Sequence, residues 1–89
     1  MNRDKDWLVY LLKCIDNSLY CGVTKDIESR LFKHNKGLAS KYTRSRLPVE
    51  LSAVRKDLTK KGAYRLEYQI KKLPVQSKIT TLGNENYKK

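Results

Sequence analysis

The apolar residues of this chain fall into short blocks whose spacing changes from one segment to the next. Trp7-Leu8-Val9-Tyr10-Leu11-Leu12-Lys13-Cys14 is a compact apolar run rich in aromatic and branched side chains, and it reads as a buried strand. Asp16-Asn17-Ser18 is turn chemistry, because these side chains bond to their own backbone and tolerate tight dihedrals. Leu19-Tyr20-Cys21-Gly22-Val23 reads as a second strand, which completes a hairpin. Side chains alternate along a strand, so the loop length decides whether Tyr10 and Tyr20 share a face. An odd-numbered loop keeps them together and a two-residue loop separates them; the odd loop is expected here.

The spacing then changes to helical. Ile27, Leu31 and His34 recur at i, i+4 and i+7 and form an inward stripe. Thr24 or Asp26 can cap the start of this helix, and Gly37 suits the left-handed position just past its end. Arg30 sits four residues before His34, so the two side chains are stacked neighbours. Residues 36 to 48 read as a loop dense in Gly, Ser, Thr and cations, and Val49-Glu50-Leu51-Ser52-Ala53-Val54 alternates as a third strand. After a polar turn, residues 63 to 73 form a second helix stopped by Pro74, and residues 75 to 82 a short last one. The expected fold is α+β, a small three-stranded antiparallel sheet packed with helices. Residues 1–82 make one domain and 83–89 a polar tail.

Composition sharpens this picture through charge. The 89 residues carry 20 Lys and Arg against 9 Asp and Glu, a formal net charge of +11. Such an excess repels itself in a compact state, and a polyanion is the usual partner that relieves it. A merely solvated basic surface is the bland alternative. No apolar run approaches the ~20 residues needed to cross a bilayer, and a membrane partner is not expected. The polar stretch Met1 to Asp6 does not resemble a signal peptide. Cys14 and Cys21 are too few for a disulfide framework, so reduced thiols packed as small hydrophobes in a cytoplasmic protein are expected.

Glu67 is the residue that stands out. It falls inside the buried stripe set by Ala63, Leu66, Ile70 and Leu73. A carboxylate on an inward face is costly unless it is paired or holds a metal, and an ion pair with Arg30 or a neighbouring Lys is the plain structural account. Tyr10, Tyr20, Arg30 and His34 are each individually explicable as packing or surface residues.

Taken in order, however, Leu8-Val9-Tyr10, then Tyr20-Cys21-Gly22-Val23-Thr24, then Ile27, Arg30, Leu31 and His34-Asn35, then Lys41-Tyr42-Thr43-Arg44, and finally Glu67 resemble the GIY-YIG nuclease family, most of all its small single-domain bacterial members. The resemblance covers roughly Trp7 to Lys78. It implies a metal-dependent endonuclease that hydrolyses DNA phosphodiester bonds. In that reading Tyr10 is the general base or relay for an attacking water, and Tyr20 places water or phosphate. Gly22 lets the backbone come close, Arg30 binds the scissile phosphate and His34 accepts the proton of Tyr10. Glu67 is the single carboxylate holding one divalent ion, Mg²⁺ or Mn²⁺. The first motif lacks the family's glycine and isoleucine, Cys21 replaces the middle isoleucine, and Val23 stands where some members have lysine, a role open to Lys25.

Tyrosine's ordinary pKa of ~10 makes it a poor base near neutrality. Tyr10 is therefore expected either to be depressed by Arg30 and the ion or to hand its proton to His34. Lys25, Lys36, Lys41, Arg44 and Arg46 are expected to contact phosphates, with Tyr42 as a stacking platform. With no room for an added DNA-binding domain, low sequence specificity or a preference for DNA structure is expected. Two other readings stay open. One is a nucleic-acid-binding module that keeps the fold without turnover. The other is an adaptor for a larger repair or recombination protein, docking through Tyr64 and Tyr68.

Overall fold

The computed structural model describes residues 5–82. Its elements are β1 (Trp7–Lys13), β2 (Leu19–Thr24), α1 (Ile27–Asn35), α2 (Lys41–Arg44), β3 (Glu50–Leu58), α3 (Lys60–Lys71) and α4 (Val75–Leu82). They build the expected α+β architecture: an antiparallel sheet in the order β2-β1-β3, with helices on both faces. Central β1 is covered on both sides, which is why its sequence is a continuous apolar run and not an alternation. Residues 1–4 of the polar N-terminal stretch and the expected tail from Gly83 onward lie outside the described residues. No helix among the described residues is long and apolar enough to cross a membrane.

The hairpin has the odd-numbered loop. Lys13 pairs with Leu19, leaving residues 14–18 between the strands. Asn17 takes the left-handed conformation (φ 71°), and Asp16 Oδ1 accepts from Ser18 N at 3.0 Å and from Ser18 Oγ at 2.6 Å. One face of the sheet, with Val9, Leu11, Cys21 and Ala53, packs on Ala63 and Ile70 of α3 and Leu82 of α4. The other face, with Leu8, Tyr10, Leu12 and Val54, receives Ile27 and Leu31 of α1. Cys14 and Cys21 are free, buried and in different clusters, so they pack as expected.

Asp26, not Thr24, caps α1, its side chain accepting from Ser29 N at 3.1 Å. Gly37 follows the helix at φ 76°, the conformation only glycine adopts without strain.

Several boundaries differ from the sequence reading, the second helix ending at Lys71 and not at Leu73 among them. The cationic loop contains the one-turn helix α2, because Ser40 Oγ accepts from Tyr42 N at 3.0 Å and caps it. Strand β3 runs on to Leu58 through the polar Arg55-Lys56-Asp57. A register irregularity opposite Trp7 and Val9 lets it keep pairing with β1 through that stretch. Helix α3 begins at Lys60, three residues early, because Thr59 Oγ1 accepts from Gly62 N at 2.9 Å. Its far end is tied down by Lys78 Nζ, which donates to the carbonyls of Ile70 and Lys71 at 3.1 and 3.2 Å.

Candidate active site

Because the loop is odd, Tyr10 and Tyr20 project from the same face, with ring centroids 6.4 Å apart. His34, one turn beyond Arg30 on α1, completes the group at 5.8 Å from the Tyr10 ring and 5.1 Å from that of Tyr20. Tyr10 Oη lies 2.9 Å from His34 Nε2, and His34 Nδ1 lies 2.8 Å from Thr43 Oγ1. All three side chains are almost wholly buried.

The bonding pattern assigns the protons. With Thr43 Oγ1 donating to the Ser40 carbonyl at 3.4 Å, the tautomer that satisfies every contact carries its proton on His34 Nδ1. That leaves Nε2 bare to accept from the Tyr10 hydroxyl. Thr43 is a site residue that the sequence reading passed over. The available signal was its place in Lys41-Tyr42-Thr43-Arg44, and α2 is what aims it at the imidazole. Replacing Thr43 with valine keeps the shape and removes the acceptor, freeing His34 to adopt the other tautomer. We expect the fold to survive with a Tm drop of a few degrees, and whatever reaction runs through the Tyr10–His34 pair to slow by at least about tenfold. An unchanged rate in the folded variant would show that the tautomer does not matter.

Gly22 pairs with Tyr10 across the two strands. A Cβ on Gly22 would stand 2.5 Å from Tyr10 Cζ. The close approach at this glycine is therefore made by the Tyr10 ring itself, which lies on the bare backbone of the edge strand.

The electrostatics of the pair are set by burial and by Arg30. Burial, reinforced by Tyr20, pushes the Tyr10 hydroxyl well above its ordinary range, against the pull of Arg30. Burial and the Arg30 cation both push His34 below its ordinary value. In the metal-free protein desolvation outweighs the pull of Arg30 on Tyr10. What remains is a neutral phenol bonded to a neutral imidazole. Among the described residues no carboxylate lies within ion-pair distance of Arg30. Its half-buried guanidinium has its charge available to a ligand.

The shift of His34 fixes a sign for stability. Below the ordinary value of 6.5 the unfolded chain takes up a proton that the folded protein resists, so stability falls with pH until the folded pKa is passed. Thermal denaturation of the wild type is expected to show a falling Tm from about pH 6.5 downward, and His34→Gln should lack that component. Parallel Tm–pH curves for the two proteins would refute the assignment.

Glu67 lies in the other layer. Its side chain is 19 % exposed, and Oε2 pairs with Lys71 Nζ at 3.1 Å, which is the neighbouring-lysine pairing considered from sequence. It also faces β2: burial first, then the Glu67 carboxylate, push the Cys21 thiol up to about 12. The Lys71 ammonium in turn feels Cys21 and Tyr20. Glu67 and the Tyr10–Tyr20–Arg30–His34 group therefore flank the same edge strand from opposite faces of the sheet. Among the described residues no three His, Cys, Asp or Glu side chains cluster as a metal cage. A lone carboxylate oxygen with solvent access suits a hard ion such as Mg²⁺, which keeps most of its water.

The basic loop is less free than its sequence implies. Arg46 Nε pairs with Asp16 at 3.0 Å, Nη1 donates to the Tyr42 carbonyl at 2.9 Å, and the guanidinium lies 3.8 Å from the Tyr42 ring centroid. Tyr42 also stacks on Tyr20 at 5.9 Å. Arg46 and Tyr42 thus buttress the site and tie the hairpin turn to α2. Lys25, Lys36, Lys41 and Arg44 are exposed, Lys25 near Trp7 and Lys36 near Phe32.

Comparison with known proteins places the chain as a whole. The family model described as the GIY-YIG catalytic domain matches residues 6–79. A UPF0213 protein of Nitratidesulfovibrio vulgaris is 44% identical over 80 residues, covering 90% of this chain and 73% of that protein. A UPF0213 protein of Staphylococcus saprophyticus is 46% identical over 75 residues, covering 84% and 92%. The solution NMR structure of a UPF0213 protein from Bacillus halodurans superposes with a TM-score of 0.53 at 40% identity, over 84% of this chain and 80% of that one. With the family model spanning nearly every described element and relatives of 44% and 46% identity matched over most of their length, the chain belongs to the GIY-YIG family, and the relatives it matches are UPF0213 proteins.

Proposed function

We propose that the protein is a metal-dependent endonuclease that hydrolyses DNA phosphodiester bonds with little sequence specificity. The observation that carries this reading is the Tyr10–His34–Thr43 hydrogen-bond chain beside Arg30, which has no carboxylate partner among the described residues. A purely structural tyrosine needs no oriented imidazole acceptor, and a phosphate contact alone needs neither.

In this reading the scissile phosphate sits at the β2 edge between Arg30 and Tyr20. The guanidinium takes up the negative charge that grows on the phosphoryl oxygens as water attacks. Tyr10 Oη takes a proton from that water while passing its own to His34 Nε2, so the imidazole ends as the cation. Thr43 holds Nδ1–H in place throughout. Burial opposes this charge separation in the free protein, and the negative phosphate beside the new imidazolium favours it. Glu67 would hold one Mg²⁺ or Mn²⁺ by displacing Lys71, and the bound ion would supply Lewis-acid stabilisation of the phosphoryl oxygens. Lys25, Lys41 and Arg44 serve as outlying phosphate contacts; Tyr42 and Arg46, engaged with each other, serve as support.

The test is cleavage of labelled single-stranded, duplex, flapped and branched DNA in Mg²⁺ or Mn²⁺. Loss of cleavage in EDTA, in Glu67→Ala and in Arg30→Ala is the expected result. If wild type and Glu67→Ala bind DNA equally and neither cuts any substrate, the domain is a binding module that retains the fold.

A further inference from the structure

Beside Arg30, along the β2 edge, lies a group of side chains that the proposed chemistry does not use. Trp7, at the start of β1, and Tyr64, on the second turn of α3, face each other with ring centroids 5.9 Å apart and planes tilted by 51°. Together with Arg30 and Lys25 they line a cavity of about 350 Å³, within the size range of sites that hold small organic groups. Tyr64 is 49% exposed, while Trp7 is partly buried with one side packed against the core. Lys25 Nζ and Lys60 Nζ stand 5.6 and 5.7 Å from the Trp7 ring, near the outer limit for cation–π contact, where a flexible lysine is easily displaced. Asp26, which also lines the cavity, has its carboxylate engaged by Ser29 N at the start of α1. Lys25, Arg30 and Lys33 outnumber Asp26 in the lining, so the wall is positive on balance.

Position matters as much as composition. Tyr64 precedes Glu67 by three residues, so both lie on one side of α3. Arg30 approaches the same cavity from α1, on the other face of the sheet. The cavity thus lies at the β2 edge and shares Arg30 with the proposed phosphate position. Two tilted aromatic rings with lysines beside them are the surface that receives an unstacked base and its neighbouring phosphates.

We propose that Trp7 and Tyr64 form a stacking subsite for one unpaired nucleobase next to the scissile phosphate, with Lys25 and Lys60 on the adjoining phosphates. The nuclease reading supplies only the path of the backbone; stacking itself does not require turnover. A base held in a duplex cannot enter, so the subsite favours single strands and strand junctions over intact duplex.

Trp7 is the one tryptophan of the chain, and stacking on a base quenches its emission. The experiment is a fluorescence titration in EDTA, where the binding result stands whether or not the protein cleaves. The probes are a short oligothymidylate, the same backbone lacking bases, and a duplex of equal length. Oligothymidylate is expected to quench Trp7 and to bind about tenfold more tightly than the abasic strand, which should not quench. Tyr64→Ala should lose about tenfold in affinity for oligothymidylate with duplex affinity nearly unchanged, and Tyr64→Phe should recover it. Trp7 emission that stays constant at saturating oligothymidylate overturns the proposal in the wild type alone, whatever the variants do. Equal affinity for the strands with and without bases overturns it as well.

Discussion

Arg30→Ala is expected to lower the single-turnover rate of DNA cleavage by on the order of 10²–10³-fold, with the protein still folded. The magnitude comes from what one preorganised charged donor is worth at a transition state that gathers negative charge. The folding half of the expectation comes from Arg30 having no ion-pair partner among the described residues, so truncation strands no buried carboxylate. A second consequence separates this residue from a general phosphate contact. Arg30 lowers both Tyr10 and His34, and without it both groups should titrate higher. The acid limb of the variant's pH–rate profile should therefore move upward in pH. Arg30→Lys restores charge without the two-pronged geometry and should recover only part of the rate. A folded Arg30→Ala protein within about threefold of wild type would remove Arg30 from the reaction.

Gly22→Ala is expected to be strongly destabilising. The new Cβ meets the Tyr10 ring, a side chain only 1% exposed and held by His34, so neither partner can retreat cheaply. Overpacking of this kind costs about 1–3 kcal/mol or more, a large part of the roughly 5–15 kcal/mol that holds a domain together. For a domain of this size that corresponds to a Tm drop of about 10 °C or more. If the ring swings aside instead, the Tyr10–His34 bond is lost, and cleavage fails even below the new Tm. The decisive measurement is a double-mutant cycle. With Tyr10→Ala in place, the added methyl should cost at least about 1 kcal/mol less than it does alone. Additive effects would mean that the collision is not with Tyr10.

Much of this was legible beforehand, and the reasons can be read off particular residues. The hairpin, α1 and the placement of α4 followed from strong local signals: a continuous apolar run, turn residues at Asp16–Ser18, a helical stripe ending at Gly37. The errors came where a cap or a bulge outweighed composition. Ser40 and Thr59 each begin a helix in a stretch that looks like loop, and β3 continues through three polar residues because β1 offers it a ladder. The site was legible as a set of residue types in order, through the family resemblance. Thr43 was not, because a threonine in a cationic loop has no period and no charge to mark it.

By itself, the sequence determined the three strands, the main helices and the excess of positive charge, since periodicity, turn chemistry and net charge are local or additive properties, while the candidate site residues came only from the family resemblance. Only the tertiary structure decided that Tyr10 is desolvated enough to stay protonated, and that His34 is held in one tautomer by Thr43. It also decided that Glu67 pairs with Lys71, that Gly22 makes room for a ring, and that Arg46 is spent on Asp16 and Tyr42. Each of these depends on which groups from distant segments exclude water from one another, and that is settled by packing, not by spacing along the chain.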